Sequence, residues 1–430
     1  MNKRLLFAIV FAGMSSMTLP LCAQTPPTLT LAQADAMAIK NRPRLLASQY
    51  QAMAAGKVTS EVRSAYLPKV YGSATGAAAE TGSRITAGQL NNPTVFNRYA
   101  NGVTVSQLIT DFGRTGNLTK SAMYSAKAEQ ENADATRAEV LLQVNRAYYL
   151  ALQAQAVLQV AQQDVKSRQL VADQVGILAR NKLKSELDVS FANVNLAQSK
   201  LLLVQAQNDV QASFANLSLA LGNSSTEIYQ LVDEPLPASP NASLSGLVKE
   251  ALSNRPEITA GQDDVDSAHA FEKAERDLWM PTLSAVGTAG LTPVREDPLL
   301  SRYAAAGFNL NIPIFDGGLF SARHAEAHFR SEEVGQNLRE LQNGIARDVR
   351  VAWLAANTAY QRLDLTQQLL NQATLALSLA QARYKLGLSS IVELNQAQLN
   401  ETQAEIDHAA AKYQYQITND SLRFQLGELR

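Results

Sequence analysis

The chain has 430 residues, with 38 Lys and Arg against 39 Asp and Glu, for a formal net charge of −1. With a balance this close to neutral, no basic excess argues for nucleic-acid binding. The single cysteine, Cys22, lies near the start, so a chain without that segment has neither disulfide nor thiol chemistry.

Residues 1–23 read as a secretory signal: Lys3 and Arg4, an apolar run from Leu5 to Gly13, then small and polar residues. Cleavage is expected after Ala23. The alternative is a lipidated Cys22, to which Leu21 is a poor fit. Beyond this segment no run approaches the ~18 apolar residues of a membrane helix. Thr30 caps a helix that starts at Leu31, meets a kink or break at Asn41–Arg42–Pro43, resumes at Leu45 and stops at Leu67–Pro68. A hairpin is predicted over 68–111: outward over 70–81, a Gly- and Asn-rich loop over 82–97, and return over 98–111. A helix over 117–181 follows, of about 65 residues and ~100 Å. A short tip over 182–185 leads to a return helix over 186–221, ~55 Å long. The stretch 223–243, with Pro235, Pro237 and Pro240, is a linker that must run outside the helices near the middle of their length.

The pattern then repeats. A half-length helix begins at Leu244, meets Asn254–Arg255–Pro256, resumes and stops at Met280–Pro281. A hairpin spans 281–316, with strands over 283–291 and 302–315 and a turn over 292–300. Phe308, Leu310, Ile312 and Ile314 alternate with Asn309, Asn311 and Pro313, the period of a strand with one apolar face. Asp316–Gly317–Gly318 breaks it, a long helix covers 319–385, a tip covers 387–390, and a return helix covers 391–427. The offset between Asp111 and Asp316 also pairs Tyr148 with Trp353, Asp188 with Glu393, Ala192 with Ala397, and Leu221–Gly222 with Leu426–Gly427. The chain is a tandem duplication over 24–222 and 244–430.

In each copy one long helix lies beside two half-length helices set end to end, the return helix (~55 Å) stacked on the opening one (~55 Å). The strands, at ~10–14 residues, are long enough to cross a bilayer, where ~9–11 suffice. Four strands cannot close a barrel, and lipid does not tolerate an open edge. Two chains would give eight strands, an interior just filled by side chains, and three would give twelve strands around an open lumen with twelve helix positions below. Helices ~10 Å apart in such a ring enclose a tube about 38 Å across between axes. The fold class is therefore an α+β membrane protein whose strands and long helices are completed by other copies of the chain into an oligomeric tube.

With these features the chain resembles the outer-membrane efflux protein family, the TolC-like trimeric exit ducts. The likeness covers nearly the whole chain after residue 23 and rests most specifically on the strand-to-helix junctions, Asp111–Phe112–Gly113 and Phe315–Asp316–Gly317–Gly318, and on the tips. The first tip motif is Ser185–Glu186–Leu187–Asp188–Val189 with Ala192. The second runs from Ala382 through Gly387 and Leu388 to Ser390, with Glu393 and Ala397. The resemblance implies a homotrimer in outer-membrane lipid, a trimeric twelve-stranded β-barrel continuous with a long periplasmic α-helical barrel, and as partners a periplasmic adaptor (membrane fusion) protein and an inner-membrane pump or ABC exporter. The function it implies is a passive exit duct for a tripartite efflux or type I secretion system. The rival from a different class is a periplasmic coiled-coil adaptor or scaffold. The resemblance leaves open whether the cargo is drug, metal ion, oligosaccharide or protein.

It also implies roles for single residues. Asp188 and Tyr384 match positions that hold the periplasmic end shut, the alternative for Asp188 being an ordinary helix-start residue. Ser389 stands where an arginine would add a second lock, which implies a looser closed state. Glu393 matches an acidic ring at the narrowest point of the pore, against the alternative of a solvated surface glutamate, and Gln396 replaces a second acid. Lys182, Leu183 and Ser185 at one tip, and Gly387, Leu388 and Ser390 at the other, would meet the adaptor. Lys182 occupies the place of Gly387, so the tips should dock unequally; Gly387 is also a helix C-cap. His324 and His328 lie one turn apart, but Ala325 stands where the zinc-protease pattern needs Glu, and no third ligand follows. Asp111–Phe112–Gly113 lacks the rest of a kinase's motifs. No nucleophile–base pair, phosphate loop or cofactor motif appears, and the reading is of no enzyme and no cofactor.

Overall fold

The computed structural model describes residues 27–80, 96–240, 243–295 and 300–429. The signal segment with Cys22 and most of the first hairpin loop lie outside the described residues. The elements in chain order are β1 (Thr28–Leu29), α1 (Leu31–Asn41), α2 (Pro43–Arg63), β2 (Lys69–Ala77), β3 (Arg98–Thr110), α3 (Arg114–Arg180) and α4 (Glu186–Leu221). They continue with β4 (Gln230–Leu231), α5 (Leu244–Asn254), α6 (Pro256–Arg276), β5 (Thr282–Arg295), β6 (Arg302–Asn311), α7 (Leu319–Lys385) and α8 (Ile391–Gln425). No described helix is long and apolar enough to cross a membrane.

The long helices α3 and α7 have 67 residues each, or ~100 Å at 1.5 Å per residue. Towards one end they alternate with α4 and α8, and towards the other with α2 and α6. Each prolyl break separates two helices, and this corrects the length matching read from the sequence. Arg42 (φ −71°, ψ 114°) and Arg255 (φ −73°, ψ 127°) are extended, with Pro43 and Pro256 opening the next helix. α1 turns back against α3 and α4, so only α2 and its final turn continue the line of α4. Together α4 and α2 supply ~90 Å beside the ~100 Å of α3. The joint is tight. A Cβ on Gly222 (φ 80°) would lie 2.8 Å from the Asn41 carbonyl oxygen, and one on Gly427 (φ 74°) 3.0 Å from Asn254. Arg42 donates to the Leu219 carbonyl at the end of α4, where unsatisfied carbonyls need a cation.

All four long strands join one antiparallel sheet in the order β2-β3-β5-β6, so the two copies meet at β3–β5. Tyr303 lies over Gly102 and Gly290, where an added Cβ would sit 2.2 Å and 2.4 Å from its hydroxyl. The strand expected to run to residue 315 ends at Asn311. Its partner β5 begins at Thr282, opposite Asn311, and Pro313 has no N–H to offer. Ile314 and Phe315 are left 95% and 88% exposed. Conversely β5 extends to Arg295, past Thr292, whose N–H donates to Ser301 O at 2.8 Å. Among the described residues no strand lies beside the outer edge of β2 or of β6.

Midway along the helices the duplicated core is visible side chain by side chain. Val144, Ala151, Leu217 and Leu221 are buried in one copy, and Val349, Ala356, Leu422 and Leu426 in the other. The linker crosses here. Its β4 pairs in parallel with β1, and the Tyr148 hydroxyl donates to Leu29 O (2.8 Å) or Val232 O (2.7 Å). Tyr415 Oη then donates to Ala238 O at 2.6 Å and Gln416 Nε2 to Glu234 O at 2.9 Å, while Lys412 pairs with Asp233.

Asn145 Nδ2 donates to the buried Asp420 Oδ2 at 2.8 Å. Nearby, burial and then the Asp420 charge push the Asp35 carboxyl up from 3.8 to about 7, with Arg423 opposing. Asp35 Oδ1 is buried with no hydrogen-bond partner among the described residues. An acid whose pKa is higher folded than unfolded binds more protons in the folded state, so it withdraws stability as pH rises between those two values. Asp35→Asn is therefore expected to gain Tm over wild type as pH goes from 5 to 8. A difference between the two melts that stays flat over that range would contradict the placement of Asp35.

Candidate functional site

Two kinds of site stand at the ends of the long helices. At the sheet end, Asp111 Oδ1 accepts from Gly113 N (3.3 Å) and Oδ2 from Thr115 N (2.7 Å). Asp316 does the same with Gly318 N (3.1 Å) and Phe320 N (2.6 Å). Each carboxylate thus holds the open amides and the positive end of a 67-residue helix. The turn needs two successive left-handed residues: Phe112 (φ 54°) and Gly113 (φ 116°) in one copy, Gly317 (φ 67°) and Gly318 (φ 87°) in the other. The motif that resembles a kinase fragment is a strand-to-helix turn. Asp316→Ala is expected to cost about 1 kcal/mol. Gly318→Ala should cost about as much or more by forcing a Cβ into the left-handed region. Chemical denaturation of the purified protein measures both.

At the far end the two tips share one construction. Lys182 (φ 61°) and Gly387 (φ 72°) occupy the left-handed position after α3 and α7. Leu183 N donates back to Leu178 O (2.9 Å) and Leu388 N to Arg383 O (2.9 Å), closing each helix. Leu183 and Leu388 are both exposed. Ser185 and Ser390 then cap α4 and α8, accepting from Asp188 N (3.2 Å) and Glu393 N (3.3 Å).

Here the equivalent acids part. Asp188 turns back on its own cap and accepts from Ser185 N at 3.0 Å and Ser185 Oγ at 2.8 Å. The Ser185 backbone bond is the first cause holding its carboxyl below the usual range, followed by the Ser185 hydroxyl. Glu393 leaves its cap and pairs with Arg383 Nε at 3.1 Å, across the tip. Sequence reading placed Arg383 in the tip motif without a role, and its structure-level partner changes the electrostatics expected of Glu393. Gln396 Nε2 donates to Asn400 Oδ1 (2.8 Å) along its own helix.

Tyr384 is half-buried beside the first tip, with Lys184 Nζ 4.3 Å from its ring centre. Burial and then the nearby Asp188 charge push its phenol up. Its hydroxyl is buried without a hydrogen-bond partner among the described residues, and the Asp188 carboxylate is engaged with Ser185. The structure thus brings Tyr384 and Asp188 into one neighbourhood without a bond between them. The two candidate metal histidines have separate partners. His324 packs edge-on against Trp279 (6.3 Å) and His328 Nδ1 contacts Glu272 Oε1 at 3.0 Å.

A layer of long helices, capped at one end by an open four-stranded sheet and closed at the other by paired tips, defines the class. It is the fold of an outer-membrane channel with a long periplasmic helical extension. The chain belongs to the outer membrane efflux protein family, which matches residues 36–223 and 247–428, both copies of the duplication. It is 25% identical over 362 residues to outer membrane protein OprJ of Pseudomonas aeruginosa, covering 82% of this chain and 74% of that one. It is 22% identical over 355 residues to outer membrane protein TolC of Escherichia coli, covering 77% and 72%. The fold is shared with the crystal structure of the Campylobacter jejuni CmeC outer membrane channel, at a TM-score of 0.78 and 19% identity, covering 93% of this chain and 85% of that one.

Proposed function

We propose that three copies of this chain form the passive exit duct of a tripartite efflux or type I secretion system, fed by an inner-membrane pump or ABC exporter through a periplasmic adaptor. The observation that carries this reading is the four-stranded sheet whose outer edges are both unpaired among the described residues, standing on helices of 67 residues. A periplasmic scaffold has no use for such a sheet, whereas a ring of three sheets satisfies every edge.

In this reading the exposed Leu183 and Leu388, with their flanking cap residues Lys182, Ser185, Gly387 and Ser390, meet the adaptor. Tyr384 and Asp188 hold the tips together. A buried phenol with no acceptor, close to a carboxylate, is an arrangement that a small shift of the tips converts into a strong bond. Tyr384→Phe and Asp188→Ala are expected to raise single-channel conductance in a planar bilayer severalfold. Ser185→Ala, which removes the same cap but keeps the carboxylate, is expected to leave conductance near wild type. Equal conductance in all four proteins would reject the lock.

The Arg383–Glu393 pair bears on selectivity. Three copies of Glu393 near an axis attract cations, but each brings its own guanidinium at 3.1 Å. Arg383→Gln is therefore expected to shift the reversal potential under a salt gradient towards cations and to strengthen block by a trivalent cation. Glu393→Gln should do the reverse. No change in either variant places Glu393 outside the pore.

A further inference from the structure

The two hairpins share one register. β2 meets β3 with Lys69 opposite Ser106, and β5 meets β6 with Thr282 opposite Asn311. Every β2–β3 pair becomes a β5–β6 pair when the outgoing strand shifts by 213 (69 to 282) and the returning strand by 205 (106 to 311). The inner seam β3–β5 is therefore a worked example of how one hairpin docks on the next. The same two shifts carry its register to the open edges, where β3 becomes β6 and β5 becomes β2 of a second copy. Leu310 then falls opposite Ala74 of that copy, as Val105 lies opposite Gly287. Ile312 falls opposite its Gly72, as Gln107 lies opposite Ala285.

Two independent features of the edges fit this register. The first is the side chains. The exposed Phe308, Leu310 and Ile312 fall opposite Gly76, Ala74 and Gly72, and a Cβ on Gly72 or Gly76 would meet nothing within 4 Å among the described residues. On the other face Asn309 and Asn311 fall opposite Thr75 and Ser73. Asn309 and Thr75 stand where the inner seam sets the Thr104 and Thr288 hydroxyls 3.2 Å apart. A slip of one residue would turn the apolar side chains against Ser73 and Thr75. The second is the backbone. Thr292 N donates to Ser301 O at 2.8 Å, so odd-numbered residues of β6 turn their backbone groups to β5 and even-numbered ones turn theirs outward. The N–H that Pro313 lacks would thus have faced β5, which has already ended, whereas Ile312 and Ile314 keep theirs on the open side. In the inner seam β3 runs on past a bulge to Thr110, opposite Leu283. The counterpart of Thr110 on β6 is Phe315, and that of Leu283 on β2 is Val70. We propose that β6 of one copy pairs with β2 of the next in the register of β3 and β5, Leu310 opposite Ala74, and that this seam draws Ile312–Phe315 into the strand. The inference rests on the ring of three sheets and adds to it the residue-by-residue contact and a segment that becomes strand only on assembly.

The test is the rate of disulfide formation in outer membranes, in chains that carry Cys22→Ser and one introduced cysteine on each edge. Directly opposite residues that exchange no hydrogen bonds have Cα atoms about 4.5 Å apart, within disulfide range. Asn309→Cys with Thr75→Cys should therefore give a covalent trimer at least tenfold faster than Asn309→Cys with Ser73→Cys or with Ala77→Cys. Pro313→Cys with Tyr71→Cys should also link, since the added strand brings those two residues opposite each other. Circular dichroism confirms that each variant is folded. Faster linking through Ser73→Cys or Ala77→Cys would overturn the register and leave the ring standing. Linking of the first pair without the Pro313→Cys pair would overturn the added strand. No linking in any pair would remove the ring and the inference with it.

Discussion

Backbone amides and carbonyls at a strand edge find no partner in lipid, and the architecture of this chain depends on that constraint. Among the described residues its sheet has four strands and two unpaired outer edges, too few to close. Everything on the other side of the junctions follows from the need to repeat the sheet around an axis. The strands feed helices of equal length, the helices present small residues to their neighbours, and the half-length helices fill the spaces between. Asp111 and Asp316 fix the angle at which strand becomes helix by holding two amides each.

Duplication supplied two equivalent copies, and they have diverged at particular places. At the junctions Phe112 takes the left-handed conformation that Gly317 takes without strain. At the middle, Tyr148 reaches between β1 and β4, whereas the Trp353 indole N–H is buried without an acceptor among the described residues. At the tips, Lys182 stands for Gly387, and Asp188 closes a capping box while Glu393 reaches Arg383. Two tips with one backbone geometry thus present different charges to whatever meets them.

Much of this was legible in the sequence because it is written in local chemistry. Thr30 caps, Pro43 and Pro256 interrupt, and Gly387 ends its helix by rules that act within a few residues. What was not legible depends on partners far along the chain. The alternation through Ile312 and Ile314 has the period of a strand, yet the strand ends where β5 has nothing left to pair. The two-residue strands β1 and β4 carry no periodic signal and exist because each finds the other. Arg383 was in view but not its contact with Glu393, since a pair spanning a turn follows from the turn's three-dimensional course.

The central claim is that the free edges of β2 and β6 are paired with those of neighbouring copies. The most direct measurement uses a chain with Cys22 removed, so that introduced cysteines are the only thiols. Val70→Cys, Gly72→Cys and Ala74→Cys on β2 are each combined with Leu310→Cys on β6, and the protein is oxidised in outer membranes before denaturing electrophoresis. The account predicts that at least one combination yields a covalent trimer that collapses to monomer on reduction, while each single cysteine does not. If all three combinations remain monomeric, or cross-linking ends at the dimer, the ring of three sheets is wrong.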